Sequence, residues 1–416
     1  MASRGEHLMR AGRSFGSGSG LLGRLFARGF AQVLDVLDQR IERGGIHATL
    51  PDGSKRRIGF RSLGPTAVVG IESWYALVRL ATSGSIGWYR AWAKGEWSSP
   101  DPVPLFELFM SNAPSLGDAA RAKGSVRWLN RLKHRLKDNA PARARDNVAA
   151  HYDLGNDFYR AWLDPTMTYS SALFDQDSGG DLEAGQRRKV EALLDRLDLA
   201  PGDRLLEIGC GWGSLAIAAA RRGALVVGLT LSTEQQAWAK AKAREAGLDD
   251  RIEIRLQDYR EVAERFDAIA SVEMVEAVGQ RWWPAYLDCI ARNLAPGGRA
   301  ALQMISIRHE LFDDYVASAD FIQAYIFPGG CLIDEPRFAA LASERGLGWN
   351  DRRGFGLDYA ETLKLWRERY NQAVAEGRLD GFGPRFHDLW RYYLMYCEGG
   401  FRGRGIDVAQ VTLVKA

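Results

Sequence analysis

205-LLEIGCGWGS-214 is the stretch that decides how this chain folds. An apolar run of strand character, 203-DRLLEIG-209, feeds into Gly209, Gly211 and Gly213 and leaves through a helical pattern over 213–222. Glycines at a strand-to-helix turn let a ligand approach the backbone, and the start of the helix offers unpaired N–H groups. Strands and helices alternate outward from this turn. A helix is expected over 184–198. Beyond the loop come the strand 224-ALVVGLT-230, a helix from 233, the strands 252-IEIRLQD-258 and 266-FDAIASVEM-274, a helix from 281, and the strand 299-RAALQMISI-307. That alternation predicts an α/β, doubly wound, mostly parallel sheet.

Two cofactor classes use such a loop. The dinucleotide fingerprint is GxGxxG, with an acidic residue about 20 positions on. Here the third glycine falls one place early, position 214 is Ser, and the next strand ends in Thr230. The acid, Glu207, precedes the loop instead. This is the E/DxGxG form of S-adenosylmethionine (SAM) methyltransferases, although a lone GxGxG also fits a purely structural turn. The surrounding motifs favour the cofactor. 230-TLSTEQ-235 opens a helix with a capping box of Ser232 and Gln235 just past the second strand. 257-QDY-259 closes the third strand, where Asp258 can meet an adenine amino group. Three strand ends thus converge on one crevice, and the fold expected is a class I SAM methyltransferase of Rossmann-like type.

The chain has 416 residues, enough for two or three domains of roughly 100–200 residues each. Residues 1–20, with arginines and SGSG, read as a flexible arm. Residues 21–115 read as a small N-terminal α+β unit: a helix over 21–41, a hairpin in 46-IHATLPDGSKRRIGF-60, and short helical pieces beyond. Residues 116–147 form a basic linker in which Trp128, Leu132 and Leu136 recur every four residues. It fits either a solvated linker helix or an amphipathic helix lying on anionic lipid. Residues 148–416 are expected to form the catalytic domain.

Four scattered cysteines without a CxxC pair, and six dispersed histidines, predict free thiols and no metal site. No uncharged apolar run approaches the ~18 residues of a membrane span, and no signal-peptide core is visible. A cytoplasmic protein is expected. Net charge is +3, which says little about partners. The DPPY/NPPY tetrapeptide of base-amine methyltransferases is absent, and the basic segment lies far from the glycine loop and has few aromatics, so no nucleic acid is expected.

The ordered motifs 150-AHYDLGNDFYRAWLD-164, 168-TYSSALF-174, 206-LEIGCGWG-213, 228-GLTLSTEQ-235, 257-QDYR-260, 273-EMVEAVG-279, 321-FIQAYIFPGG-330, 356-GLDYAETLKLW-366 and 393-YLMYCEGGFR-402 closely resemble the cyclopropane-fatty-acyl-phospholipid synthase family. The likeness runs over roughly 145–415, and 87-GWYRAWAKGEWSSPD-101 extends it into the N-terminal unit. It implies methyl transfer from SAM to the double bond of an unsaturated acyl chain in a membrane phospholipid. The implied enzyme is a homodimer attached peripherally to the inner face of the membrane, with the N-terminal unit helping it dock.

By the same resemblance, Tyr169 and Ser170 cover the bound SAM. Glu207, Gly209, Gly211, Gly213, Thr230, Leu231, Gln235, Asp258 and Tyr259 complete its site. The family's bound bicarbonate, a candidate base, is held by Cys, Glu, His, an Ile backbone and Tyr. These fall on Ser171, Glu276, Gln303, Ile305 and Tyr359, so the Cys and His positions depart. Glu273 is read as a surface acid, Glu276 as a catalytic residue or a helix cap, and Tyr359 as a ligand or a core tyrosine. Tyr325 or Trp366 could soften positive charge on the substrate.

Proton loss from the added methyl with ring closure gives a cyclopropane, the leading expectation. Loss by other routes gives a methyl-branched or methylidene chain. A non-catalytic lipid- or SAM-binding homologue and a methyltransferase for a soluble acceptor are the alternatives.

Overall fold

The computed structural model describes residues 4–11, 29–117, 154–175 and 180–416. The basic segment 121–147 and His151 lie outside these residues. The described chain divides into two compact units. One draws on Met1–Lys137, Arg308–Pro328 and Asp380–Ile406. The other draws on Asp138–Ile307, Gly329–Leu379 and Asp407–Ala416.

In the first unit, a helix Gly29–Arg40 leads into β1 (Arg43–Thr49) and β2 (Lys55–Gly59), an antiparallel hairpin. The Pro51–Gly53 turn forms it: Asp52 Oδ1 accepts from the Ser54 N–H at 2.9 Å. β3 (Ser62–Ile71) runs parallel to β1, and β4 (Trp97–Ser98) completes the order β2-β1-β3-β4. Trp88 and Trp97 stack at 4.5 Å beneath it.

Two expectations change here. The supposed arm contains a helix, Glu6–Ala11, with Leu8 buried, so part of it is ordered by apolar contact. The segments 308–328 and 380–406, read with the catalytic domain, pack in the first unit instead. The reason is local. The helix Pro384–Arg402 lies so close to the helix Val103–Ser111 that a Cβ on Gly399 would sit 2.4 Å from Phe106 Cβ.

The second unit is built on a seven-stranded sheet of order β10-β11-β9-β8-β5-β6-β7. Its strands are β5 (Arg204–Ile208), β6 (Leu225–Thr230), β7 (Ile252–Leu256), β8 (Phe266–Val272), β9 (Leu294–Ile307), β10 (Leu347–Gly354) and β11 (Ile406–Lys415). β5 through β9 pair in parallel, and β10 is antiparallel to β11. The chain reverses between β5–β6 and β5–β8, which opens a ligand crevice at the carboxyl end of β5.

The helix Leu182–Asp195 starts where Asp181 Oδ1 accepts from the Glu183 and Ala184 N–H groups. It buries Val190, Leu193 and Leu194 against Leu205, Val226 and Ala268 of the sheet. The expected strands and helices from 184 to 307 are all present, with ends shifted by a few residues. β9 begins at Leu294, five residues earlier than 299. Among the described residues, no helix is long and apolar enough to cross a membrane.

Replacing Gly399 by Ala forces its Cβ into Phe106 and the backbone of Glu107. The expected cost is about 1–3 kcal/mol, the usual range for overpacking. A urea midpoint lowered at unchanged slope would record it.

Candidate functional site

The glycine loop lies at the end of β5. Gly209, Gly211 and Gly213 all have positive φ (84°, 52° and 92°). A Cβ on Gly211 would meet no atom within 4 Å, so this face of the loop is open. Gly213 does not line the crevice. It starts the helix Ser214–Arg221, and a Cβ there would touch Ala239 at 3.0 Å, so its role is the turn and helix packing. Tyr169, Ser170, Glu207, Gly209 and Gly211 line one side of the crevice. Thr230, Leu231, Gln235, Asp258 and Tyr259 line the other. Ten of the eleven residues expected around SAM are therefore brought together.

Their hydrogen bonds set what the crevice can hold. Glu207 is buried, and its Oε2 has no hydrogen-bond partner among the described residues. Burial pushes its carboxyl up to about 8, against the pull of Lys189. The Tyr259 hydroxyl is buried and likewise has no partner among the described residues. A ribose diol supplies the donors that Glu207 lacks, so the residues present fit a nucleoside. Only half of the expected capping box forms. Ser232 Oγ accepts from the Gln235 N–H at 3.3 Å, but Gln235 Oε1 accepts from Thr230 Oγ1 at 2.8 Å. Thr230, the strand-end residue, thereby ties the start of this helix to the sheet. Asp258 accepts from Arg260 Nε at 2.8 Å and Nη2 at 2.6 Å, which fixes its carboxylate.

Lys189 is a member of this site that sequence reasoning missed. It is buried, and its Nζ donates to Ser170 Oγ at 2.5 Å. Burial lowers its ammonium to about 8, while Glu273, Asp164 and Glu207 pull the other way. The signal was present in the sequence. Gln186 and Lys189 interrupt the apolar stripe of the helix Leu182–Asp195 at inward positions. Gln186 Nε2 holds the Ser170 carbonyl at 2.7 Å, so this helix fixes the segment that opens with Tyr169.

Three of the five positions expected to hold an anion are bonded to an unexpected residue, Glu273. Glu273 is no surface acid: it lines the crevice. Its Oε1 accepts from the Ser171 N–H at 2.9 Å and Gln303 Nε2 at 2.8 Å, and its Oε2 accepts from the Tyr359 hydroxyl at 2.6 Å. Burial raises its carboxyl above the usual range, while Tyr359, Lys189, Ser171 and Gln303 oppose that rise. Glu276 does not cap a helix. Its Oε1 accepts from the Ile305 N–H. Burial, and then the neighbouring Glu273, push its carboxyl up to about 8. Gln410 Nε2 donates to Gln303 Oε1 at 3.1 Å, which orients the amide with its NH₂ toward Glu273. The Ser171 hydroxyl points elsewhere, donating to the Ala172 carbonyl.

Aromatic rings connect the two halves of the site. Trp366 packs 5.3 Å from Tyr169 and edge-on to Tyr359 at 6.1 Å. Tyr325 belongs to the other unit, where its hydroxyl accepts from Arg90 Nε at 3.0 Å.

If Glu207 anchors the ribose and ionises on accepting its hydroxyls, Glu207→Gln removes an acceptor worth about 1.5–3 kcal/mol. S-adenosylhomocysteine (SAH) should then bind about 10–100-fold more weakly by calorimetry, with an unchanged thermal midpoint in the ligand-free protein.

Known proteins share this architecture. A family model described as mycolic acid cyclopropane synthetase matches residues 139–411. The chain is 38% identical over 348 residues to the tuberculostearic acid methyltransferase UfaA1 of Mycobacterium tuberculosis, covering 81% of this chain and 80% of that one. It is 36% identical to the cyclopropane-fatty-acyl-phospholipid synthase of Escherichia coli, covering 80% and 84%. Among solved structures, the mycolic acid cyclopropane synthase CmaA1 complexed with SAH and CTAB superposes with a TM-score of 0.61 at 32% identity, over 65% of this chain and 98% of that one. With SAM-type motifs, crevice and relatives in agreement, the chain belongs to the mycolic acid cyclopropane synthetase family, as a SAM-dependent C-methyltransferase of unsaturated acyl chains.

Proposed function

We propose that the protein methylates the double bond of an unsaturated acyl chain carried on a membrane phospholipid, and that the product keeps one double bond as a methyl-branched or methylidene chain. The observation that carries the product is the remade base site. Gln303 stands where the family resemblance expects His and donates its side-chain amide to the Glu273 carboxylate, whereas Ser171, at the expected Cys, reaches that carboxylate only through its backbone N–H and removes a thiol from the site. The position of the base determines which proton leaves the methylated chain, so a remade base site bears directly on the product. The 38% identical relative is named as a tuberculostearic acid methyltransferase, which supports this reading. The phospholipid acceptor is supported by the name of the Escherichia coli relative. Action at the inner face of the membrane follows from the same resemblance.

When bound, SAM supplies an electrophilic methyl group on its sulfonium. The chain's own residues do the rest. Glu207 and the glycine loop hold the nucleoside, and Asp258, fixed by Arg260, receives the adenine amino group. The segment Thr168–Ser170, held by Gln186 and Lys189, lines the crevice. Holding both partners in line offsets much of the entropic barrier to the attack of a weak alkene nucleophile. The apolar surroundings exclude water, which would trap the cation left on the acyl chain. The faces of Tyr169 and Trp366 can stabilise that cation. A carboxyl group beside them takes up the proton that must leave.

The test uses SAM bearing a trideuterated methyl group and vesicles of a monounsaturated phospholipid. Hydrolysed acyl chains are read by mass spectrometry with double-bond localisation. The expected product keeps an alkene. Three deuteriums mark a methyl branch, and two mark a methylidene. A ring with two deuteriums and no alkene would make the protein a cyclopropane synthase, in which Ser171 and Gln303 are neutral replacements. No label in any chain would overturn the acyl acceptor altogether.

A further inference from the structure

Glu273 has a backbone that its residue type does not favour. Its φ is +49°, in the left-handed region, which a non-glycine residue occupies at a cost of order 1–3 kcal/mol. It follows directly on β8, and its N–H is anchored to the Gln303 carbonyl at 2.7 Å. This conformation turns the side chain into the crevice, toward donors from three distant segments: the Ser171 N–H, the Gln303 amide and the Tyr359 hydroxyl. These are three of the five positions at which the resemblance expects bicarbonate ligands. The remaining two, Glu276 and the Ile305 N–H, bond to each other. A carboxylate and a bicarbonate present the same planar pair of acceptor oxygens. The donors that would hold a dissociable anion are therefore already taken by an anion covalently fixed to the chain.

We propose that the Glu273 carboxylate is the built-in base of this enzyme, standing in the place of a bound bicarbonate, so that the reaction needs no added anion. This rests on the acyl-chain reading above. In the step it performs, a C–H bond of the methylated chain breaks, and its electron pair fills the cationic centre as a new C=C bond, or closes a ring. The proton goes to Glu273 Oε2. Oε1 already accepts two hydrogen bonds, whereas Oε2 accepts one, from Tyr359, among the described residues. The proton then passes to solvent. Gln303 suits this arrangement, because an amide donates a hydrogen bond without adding a titrating charge. The Lys189 ammonium, lodged at Ser170, lends the positive field that keeps Glu273 able to ionise.

The experiment measures methyl transfer to vesicle phospholipid by the full-length enzyme, in carbonate-free buffer and again with added bicarbonate. The wild-type rate should agree within about twofold between the two. Glu273→Gly relieves the backbone strain and empties the anion position. Its rate should fall about 10²-fold or more, the usual scale for losing a general base. Added bicarbonate should restore it at least tenfold, with SAH affinity unchanged within about threefold. Glu273→Gln keeps the shape but not the basicity, and should be slow with or without bicarbonate.

A wild type that methylates lipid only when bicarbonate is present overturns the proposal. So does a Glu273→Gln enzyme of full activity, or a Glu273→Gly enzyme that binds SAH and is not rescued. If Glu273→Gly no longer binds SAH, the wild-type and Glu273→Gln results decide. A wild type that methylates no lipid under either condition refutes the acyl-chain reading instead, which keeps the two failures apart.

Discussion

The site depends on keeping a negative charge in a crevice that must stay dry. An unpaired carboxylate taken out of water costs several kcal/mol or becomes protonated. For Glu273 three donors at 2.6–2.9 Å and the field of a buried lysine oppose both outcomes, although burial still holds its carboxyl above the ordinary range. Each donor is held in turn. Gln303 is fixed by Gln410, Ser171 is flanked by Ser170 on Lys189 and Gln186, and Tyr359 packs edge-on against Trp366.

The sheet is what brings such distant residues together. Glu273 follows β8, Gln303 lies in β9 and Gln410 in β11, and these strands neighbour one another in the order β11-β9-β8. The helix Gly356–Ala375 delivers Tyr359, and Thr362 of the same helix accepts from the Ala172 N–H at 3.1 Å, pinning the segment beside Ser171. The parallel core β5–β8 provides the cofactor side, with Glu207 ending β5 and Asp258 following β7. Two carboxyl groups, Glu207 and Glu273, thus line one crevice at the carboxyl ends of the strands of one sheet.

Much of this was legible in the sequence. The glycine loop, the alternation from 184 to 307 and the strand-end motifs at Thr230 and Asp258 follow from local periodicity and spacing, which are one-dimensional signals, whereas Tyr169 and Ser170 came from the family resemblance. β10 and β11 were not. β10 reads LGWNDRRG, a mostly exposed edge strand without apolar alternation. β11 carries buried Gln410 and Thr412 in its apolar run. The long separation of 308–328 and 380–406 from the first unit also hid their membership there, because the close approach at Gly399 is visible only in three dimensions. Resemblance located five anion-site positions, but it could not show that three of them turn toward Glu273. A glutamate three residues before another, at a strand end, reads as solvent-facing by default. Its positive φ, which aims it inward, leaves no trace in composition or spacing.

The most direct test of this account is a crystal structure of the SAH complex, grown and soaked in bicarbonate at a resolution that separates a carboxylate from a free anion. The account predicts the Glu273 carboxylate between the Ser171 N–H, the Gln303 amide and the Tyr359 hydroxyl, with no separate anion density there. An ordered bicarbonate on those three donors, with Glu273 turned away, would contradict it.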